Sequence, residues 1–377
     1  MIYSPTLAAY HPTTAEIDLA AFHENIRNVK RIINKSILLA VIKTNAYGHG
    51  TVRIGKEAVR AGADRLGVTT VEEGALLREN GIQVPIHVLN SIMPAQAADI
   101  ARYKLTASVF SYRLTRAISE AATKQQREIP VHVKVDTGLH RFGLEPHEVI
   151  PFCTSCYKLP GLRWEGIYTH FSSADEGDMG KTEKQFRLFL EVVEKLYKQG
   201  FTFPIRHVGG STIAMERPDL HLEMVRPGLA LFGYPPALRQ RDILTLKPVM
   251  TLKSTLIHVR HLPPNTPVGY GGSYVTTTHE KIAVVPIGHG DGYSRRLSNK
   301  GEMLVRGHRA KIVGKLSLDQ TLIDVTTIPD VAKGDEVILI GRQGEDEISA
   351  YDVAEWMDSI VDEVVSSLTE RIRRVYV

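Results

Sequence analysis

Lys43 stands directly behind the apolar run ILLAVI, and the chain then reads TNAYGHG. A primary amine at the end of a buried segment can capture an aldehyde as a Schiff base. Other chemistry-bearing residues follow other apolar runs in the same way. VHVKVDTGLHRFG carries Lys134, Asp136 and Arg141, and WEGIYTH ends in His170. IRHVGGST supplies Gly209, Gly210, Ser211 and Thr212, and HLEMVRPG supplies Arg226, Pro227 and Gly228. A glycine-flanked Ser-Thr pair opening a helix offers backbone N–H groups and hydroxyls, which suit a phosphate. No GxxxxGK[ST] motif is present, so a nucleotide is not indicated. A lone lysine together with a phosphate site suggests pyridoxal phosphate (PLP). The carboxylates of a metal hydrolase are missing from most of these positions, so no metal is expected. Each residue also has a plain structural reading: Lys43 as a solvated cap, the glycines as a turn, His170 as a core histidine, Arg226 paired with Glu223. Their recurrence behind successive apolar runs favours function.

The elements that must position them alternate. Leu19, Phe22, Ile26, Val29 and Ile33 recur at helical spacing before ILLAVI. Further strand candidates lie at 65–70, 86–89, 105–110, 131–135, 164–170, 205–210 and 221–226. Helical stretches fill the gaps, most clearly 182–200 with Gly200 as its stop. Eight strands alternating with helices predict a (β/α)8 TIM barrel over 1–240, with active-site residues at the C-terminal strand ends. A doubly wound open sheet competes, but the first strand–helix turn lacks GxGxxG. Beyond 240 the chain becomes strand-rich, with two helical segments near 349–358 and 360–370. Residues 241–377 are expected to form a mostly β C-terminal domain, against which the first ~14 residues pack.

The bulk composition agrees with an α/β protein of two domains. The chain has 377 residues, 43% hydrophobic and 23% charged. Its net charge of +4, from 46 basic and 42 acidic side chains, contains no long basic block, so nucleic acid and membrane partners are not expected. No apolar run reaches the ~20 residues of a membrane span. Cys153 and Cys156 form CTSC without a second pair, and read as half-buried thiols without a function. These features, with no secretory signal, suggest a cytoplasmic protein.

VIKTNAYGHG resembles the PLP-lysine motif of alanine racemases. The resemblance covers nearly the whole chain: KVDTGLHRFG, GIYTHFSSADE, MVRPGLALFG, KPVMTLKS, VGYGGSY, GHGDGYSRRLSN and IVGKLSLDQ occur in the family's order. It implies a PLP-binding barrel plus a β domain, and a homodimer that racemises alanine to supply D-alanine for peptidoglycan. It implies that Lys43 binds PLP and acts as one base, and that Tyr270 is the opposing base, reaching the barrel of the other subunit. Tyr47, Ser211, Gly228 and Leu229 fall on phosphate-binding positions. His170 falls beside the pyridine ring, connecting Arg226 to Tyr270. Arg141 and the N–H of Leu318 match substrate-carboxylate positions. Lys134 matches a lysine that is often carbamylated.

The sequence departs from the family's pattern at several sites. Gly210 replaces an asparagine, His289 a tyrosine at the entrance, and Lys315 and Ser317 an arginine and a cysteine. In SIVDEV, Asp362 takes the place of a pocket tyrosine. A larger, more polar pocket is expected there, favouring serine or a broad substrate range. Two other classes are a non-catalytic PLP-binding protein, which needs no Tyr270, and a PLP-barrel decarboxylase. Such decarboxylases usually set a carboxylate against the pyridine nitrogen, so Arg226 argues against that class.

Overall fold

In a computed structural model the described residues are 11–377. They divide into two compact units. One comprises Ala20–Ala46 and Thr51–Lys247; the other comprises the residues up to Leu19, Tyr47–Gly50 and Pro248–Val377. Most of the N-terminal segment expected to pack on the C-terminal domain, residues 1–10, lies outside the described residues.

After a short strand, β1 (Thr14–Ile17), come eight parallel strands of a nearly closed barrel. They are β2 (Ile37–Val41), β3 (Arg65–Val68), β4 (Ile86–Val88), β5 (Thr106–Val109), β6 (Ile129–Lys134), β7 (Leu162–Tyr168), β8 (Ile205–His207) and β9 (Met224–Val225). The ladder runs β8-β7-β6-β5-β4-β3-β2-β9. The seam between β8 and β9 is bridged just beyond their ends, where the Arg226 N–H donates to the Gly209 carbonyl at 2.9 Å. Helices form where apolar residues repeat at helical spacing. Leu19–Ile33 buries Phe22, Ile26, Val29 and Ile33, each contributing about 1.5–3 kcal/mol. Met179–Lys198 starts at an Asp178 cap and ends before Gly200, whose φ of +83° suits a helix stop.

The register slips once inside the barrel. Val131 pairs with Trp164 but His132 pairs with Gly166, leaving Glu165 as a bulge residue on β7. A Cβ on Gly166 would stand 2.4 Å from His132 Nδ1, so only glycine admits the imidazole there.

In the other unit, β1 lies between two strands, antiparallel to Met250–Thr255 and parallel to Arg373–Tyr376. The run VMTLKSTLIHVRHL divides into two strands, Met250–Thr255 and His258–Leu262. The helices Ala350–Met357 and Val361–Ser366 follow, the first opened by a Ser349–Asp352 capping box.

One expectation is corrected, and one plain structural reading is excluded. Cys153 and Cys156 are fully buried rather than half-buried, on the inner face of the helix Val149–Cys156. Burial pushes the Cys153 thiol up to about 12, which leaves it inert. Arg226 does not pair with Glu223, whose carboxylate instead takes Arg206 at 2.5 and 2.9 Å.

Candidate active site

Beyond β2 the backbone turns the wrong way. Thr44, Asn45, Ala46 and Tyr47 all have left-handed φ, from 50° to 55°. Each such non-glycine residue costs about 1–2 kcal/mol, so its neighbours must hold it. Glu73 does much of this. One carboxylate oxygen accepts the Thr44 N–H at 2.5 Å, and the other accepts the N–H groups of Thr69 (2.9 Å) and Thr70 (3.3 Å). Asn45 Oδ1 accepts from the Thr51 N–H at 3.0 Å. Lys43, partly exposed, stands at the head of this turn. Gly48 closes the motif: its φ is +81°, and a Cβ there would meet the Val365 carbonyl oxygen at 2.0 Å.

Arg226, behind β9, is 6% exposed. Its guanidinium donates to His207 Nδ1 at 2.8 Å, to the carbonyls of Thr169 and Val208 at 2.9 and 3.2 Å, and approaches His170 Nδ1 at 3.2 Å. Burial pulls it down to about 10, so it remains charged near neutrality. Burial, helped by Arg226 and Lys134, holds His170 well below the usual imidazole range and therefore neutral. Lys134 points its amine to the Val135 carbonyl at 3.0 Å and lies 5.2 Å from the Tyr168 ring centre. Burial and the Arg226 charge push it down to about 7. Arg141 is exposed on the loop behind β6, its guanidinium 5.3 Å from the Phe142 ring centre. Asp136 shapes that loop by accepting the N–H groups of Gly138, Leu139 and His140.

Ser211 Oγ accepts N–H bonds from Gly228 at 3.0 Å and Ala230 at 3.3 Å. Among the described residues, nothing accepts from the N–H of Leu229 between them. An oxygen-rich anion fits this cradle, since the Leu229 N–H and a serine hydroxyl proton remain to be satisfied. Thr212 does not join it: its hydroxyl donates to Asp175 at 2.5 Å. Gly210 leaves room beside His170, where a Cβ would make only ordinary contact at 3.7 Å.

In the β-rich unit, Tyr270 is 67% exposed on a turn held by Gly269, Gly271 and Gly272, all at positive φ. A Cβ on Gly269 would sit 3.6 Å from the Lys315 nitrogen, so this turn borders the segment leading to Leu318. The N–H groups of His289 and Gly290 donate to the carbonyls of Ser317 and Leu318 at 3.0 and 2.8 Å. His289 and Leu318 are therefore neighbours, both exposed. Asp362 is half-buried in the first turn of Val361–Ser366, and the following Ser367 hydroxyl donates to the Gly292 carbonyl at 3.0 Å. Glu73, His207, His132 and Glu165 are not marked by the sequence as site residues, and Asn45 is marked only for local hydrogen bonding. The available signal was a histidine inside each of the runs VHVKV and IRHVGG.

The family model for the N-terminal domain of alanine racemase matches residues 17–236, and that for its C-terminal domain matches residues 249–376. The chain belongs to the alanine racemase family. An alanine racemase of Halothermothrix orenii is 42% identical over 366 residues, covering 97% of each chain. The structure of the Clostridium difficile 630 alanine racemase superposes with a TM-score of 0.92 at 36% identity, covering 97% of this chain and 96% of that one. The family's architecture, a parallel barrel followed by a mostly β domain, is that of this chain. A histidine racemase from Leuconostoc mesenteroides also superposes, with a TM-score of 0.88 at 27% identity over 100% of both chains. Among the described residues no helix is long and apolar enough to cross a membrane.

Proposed function

We propose that this chain is a PLP-dependent racemase that interconverts L- and D-alanine, acting as a cytoplasmic homodimer and supplying D-alanine for peptidoglycan. The observation carrying this reading is the buried, charged Arg226 at the strand ends, beside His170 and Lys134. When bound, PLP supplies an electron-accepting ring that acidifies the α-hydrogen of the substrate. Arg226 would face the ring nitrogen, to which a guanidinium offers a hydrogen bond without surrendering its proton. That choice favours racemisation over transamination. Inverting the α-carbon needs proton removal on one face and delivery on the other. Lys43 serves one face and also holds the cofactor covalently; Tyr270 of the partner subunit serves the other.

The remaining roles rest on the resemblance to the family. Tyr47, Ser211, Gly228 and Leu229 would hold the phosphate, and His170 would pack beside the ring and connect Arg226 to Tyr270 of the partner subunit. Arg141 and the N–H of Leu318 bind the substrate carboxylate. Lys134, near 7, is neutral often enough to add to carbon dioxide; the amine loses a proton and the carbamate anion then pairs with Arg141. Purified protein supplied with PLP should convert L-alanine to a racemic mixture, read by chiral chromatography. Failure to form D-alanine overturns the proposal.

A second reading, serine or broad specificity, is favoured by Asp362 together with Gly210 and His289. Comparing turnover of L-serine and L-alanine decides between them. Negligible serine turnover removes the second reading.

A further inference from the structure

We infer that His132 and Glu165 are positioning residues that hold Arg226 through a one-way hydrogen-bond relay across the barrel core. The relay runs from Arg226 to His207 at 2.8 Å, from His207 to His132 at 2.8 Å, and from His132 to Glu165 at 3.0 Å. At its far end Glu165 is clamped by Arg65, at 2.5 and 3.2 Å, and by Arg163 at 2.7 Å.

The ends set the proton order. A guanidinium only donates, so His207 Nδ1 accepts. A neutral His207 then carries its proton on Nε2 and gives it to His132 Nδ1. His132 in turn carries its proton on Nε2 and donates to the carboxylate. Both rings are fully buried, which holds them below the usual imidazole range and neutral. The Arg65 and His132 bonds hold Glu165 well below the usual carboxylate range. Reversing the order would leave a lone pair facing a carboxylate and a proton facing an arginine.

The barrel is built for this chain of groups. TIM-barrel interiors are usually layers of branched apolar side chains. Here the β7 bulge presents Glu165, and Gly166 vacates the space the His132 ring occupies. A fully satisfied buried network rigidifies its members. His87, 4.5 Å from the His132 ring, bonds Ser108 instead and lies beside the relay. The ligating nitrogens of His87, His132 and His207 lie within 4.8 Å of one another. A metal among them would displace the proton shared by His132 and His207, which makes a metal centre the competing outcome.

The consequence for turnover rests on the reading of Arg226 as the partner of the ring nitrogen; the relay itself does not. Nitrogen-15 spectra of histidine-labelled wild type should show His132 and His207 as neutral Nε2–H tautomers at pH 7.5. An Nδ1–H tautomer or an imidazolium at either position overturns the relay. So does a stoichiometric metal in the purified protein with metal-shifted ring nitrogens. Glu165→Gln keeps an acceptor for His132 but removes the charge. It should lower kcat roughly tenfold, equivalent to about 1.4 kcal/mol, with KM little changed. Half-transamination per turnover should rise. An unchanged kcat and partition in a folded variant confines the network to stability and overturns the positioning role. Tautomers as stated in a protein without racemase activity would instead remove the proposed function and leave the relay.

Discussion

Ser211 and Lys134 are both buried, and each carries a role that a single substitution tests. Ser211 Oγ satisfies two backbone N–H groups, so Ser211→Ala leaves both unpaired. The loss should be about 1–3 kcal/mol in the urea unfolding free energy, together with weaker PLP binding in an absorbance titration. Unchanged PLP affinity would separate Ser211 from the phosphate. Lys134, pushed down to about 7, should accept labelled carbon dioxide above that pH and release it below. A carbamate carbon resonance that Lys134→Ala removes is the expected result. Glu73 has a different kind of role, since its carboxylate ties Thr44 to Thr69 and Thr70. Glu73→Ala should destabilise the left-handed turn and slow covalent capture of PLP by Lys43, measured by stopped-flow absorbance.

At the scale of elements, the barrel interior is an acid-sensitive device. Burial depresses the imidazoles of His87, His132, His170 and His207. Below the unfolded value of about 6.5 the unfolded chain therefore binds more protons than the native one. Stability is full above that pH and falls as the pH drops through it, by up to about 1.4 kcal/mol per pH unit for each histidine. Urea midpoints measured between pH 7.5 and 5 should fall steeply; a flat profile would show the rings to be charged or solvated. The strands and helices that carry these residues were legible, because apolar runs alternating with helical spacing specify them locally. Lys43, His170 and Arg226 were legible for the same reason, standing behind such runs. The relay was not, because Glu165 faces the core only through a bulge, and bulges depend on the register between strands. The left-handed turn was equally hidden, since of its four residues only Asn45 favours that region, while Thr44, Ala46 and Tyr47 carry no local preference that announces it. The strand Thr14–Ile17 is four residues long and has its partners more than 230 residues away.

At the scale of the whole molecule, the proposed site residues divide between the two units. The barrel carries Lys43, Lys134, His170, Ser211 and Arg226, and the β-rich unit carries Tyr270, His289, Leu318 and Asp362. Tyr270 and Leu318 are 67% and 54% exposed on a single chain, and the proposed dimer would set Tyr270 against the barrel of the partner subunit. A two-base racemase with shared sites has a property that no single-chain enzyme has. Lys43→Ala and Tyr270→Phe should each be nearly inactive alone. Unfolded together and refolded as a mixture, they should form dimers in which one site pairs an intact Lys43 with an intact Tyr270. With random pairing, recovered alanine racemisation should reach about a quarter of the wild-type rate, since half the dimers are mixed and each has one intact site. Activity no greater than the sum of the two parents, in a mixture shown to contain mixed dimers, would contradict the two-base, shared-site account.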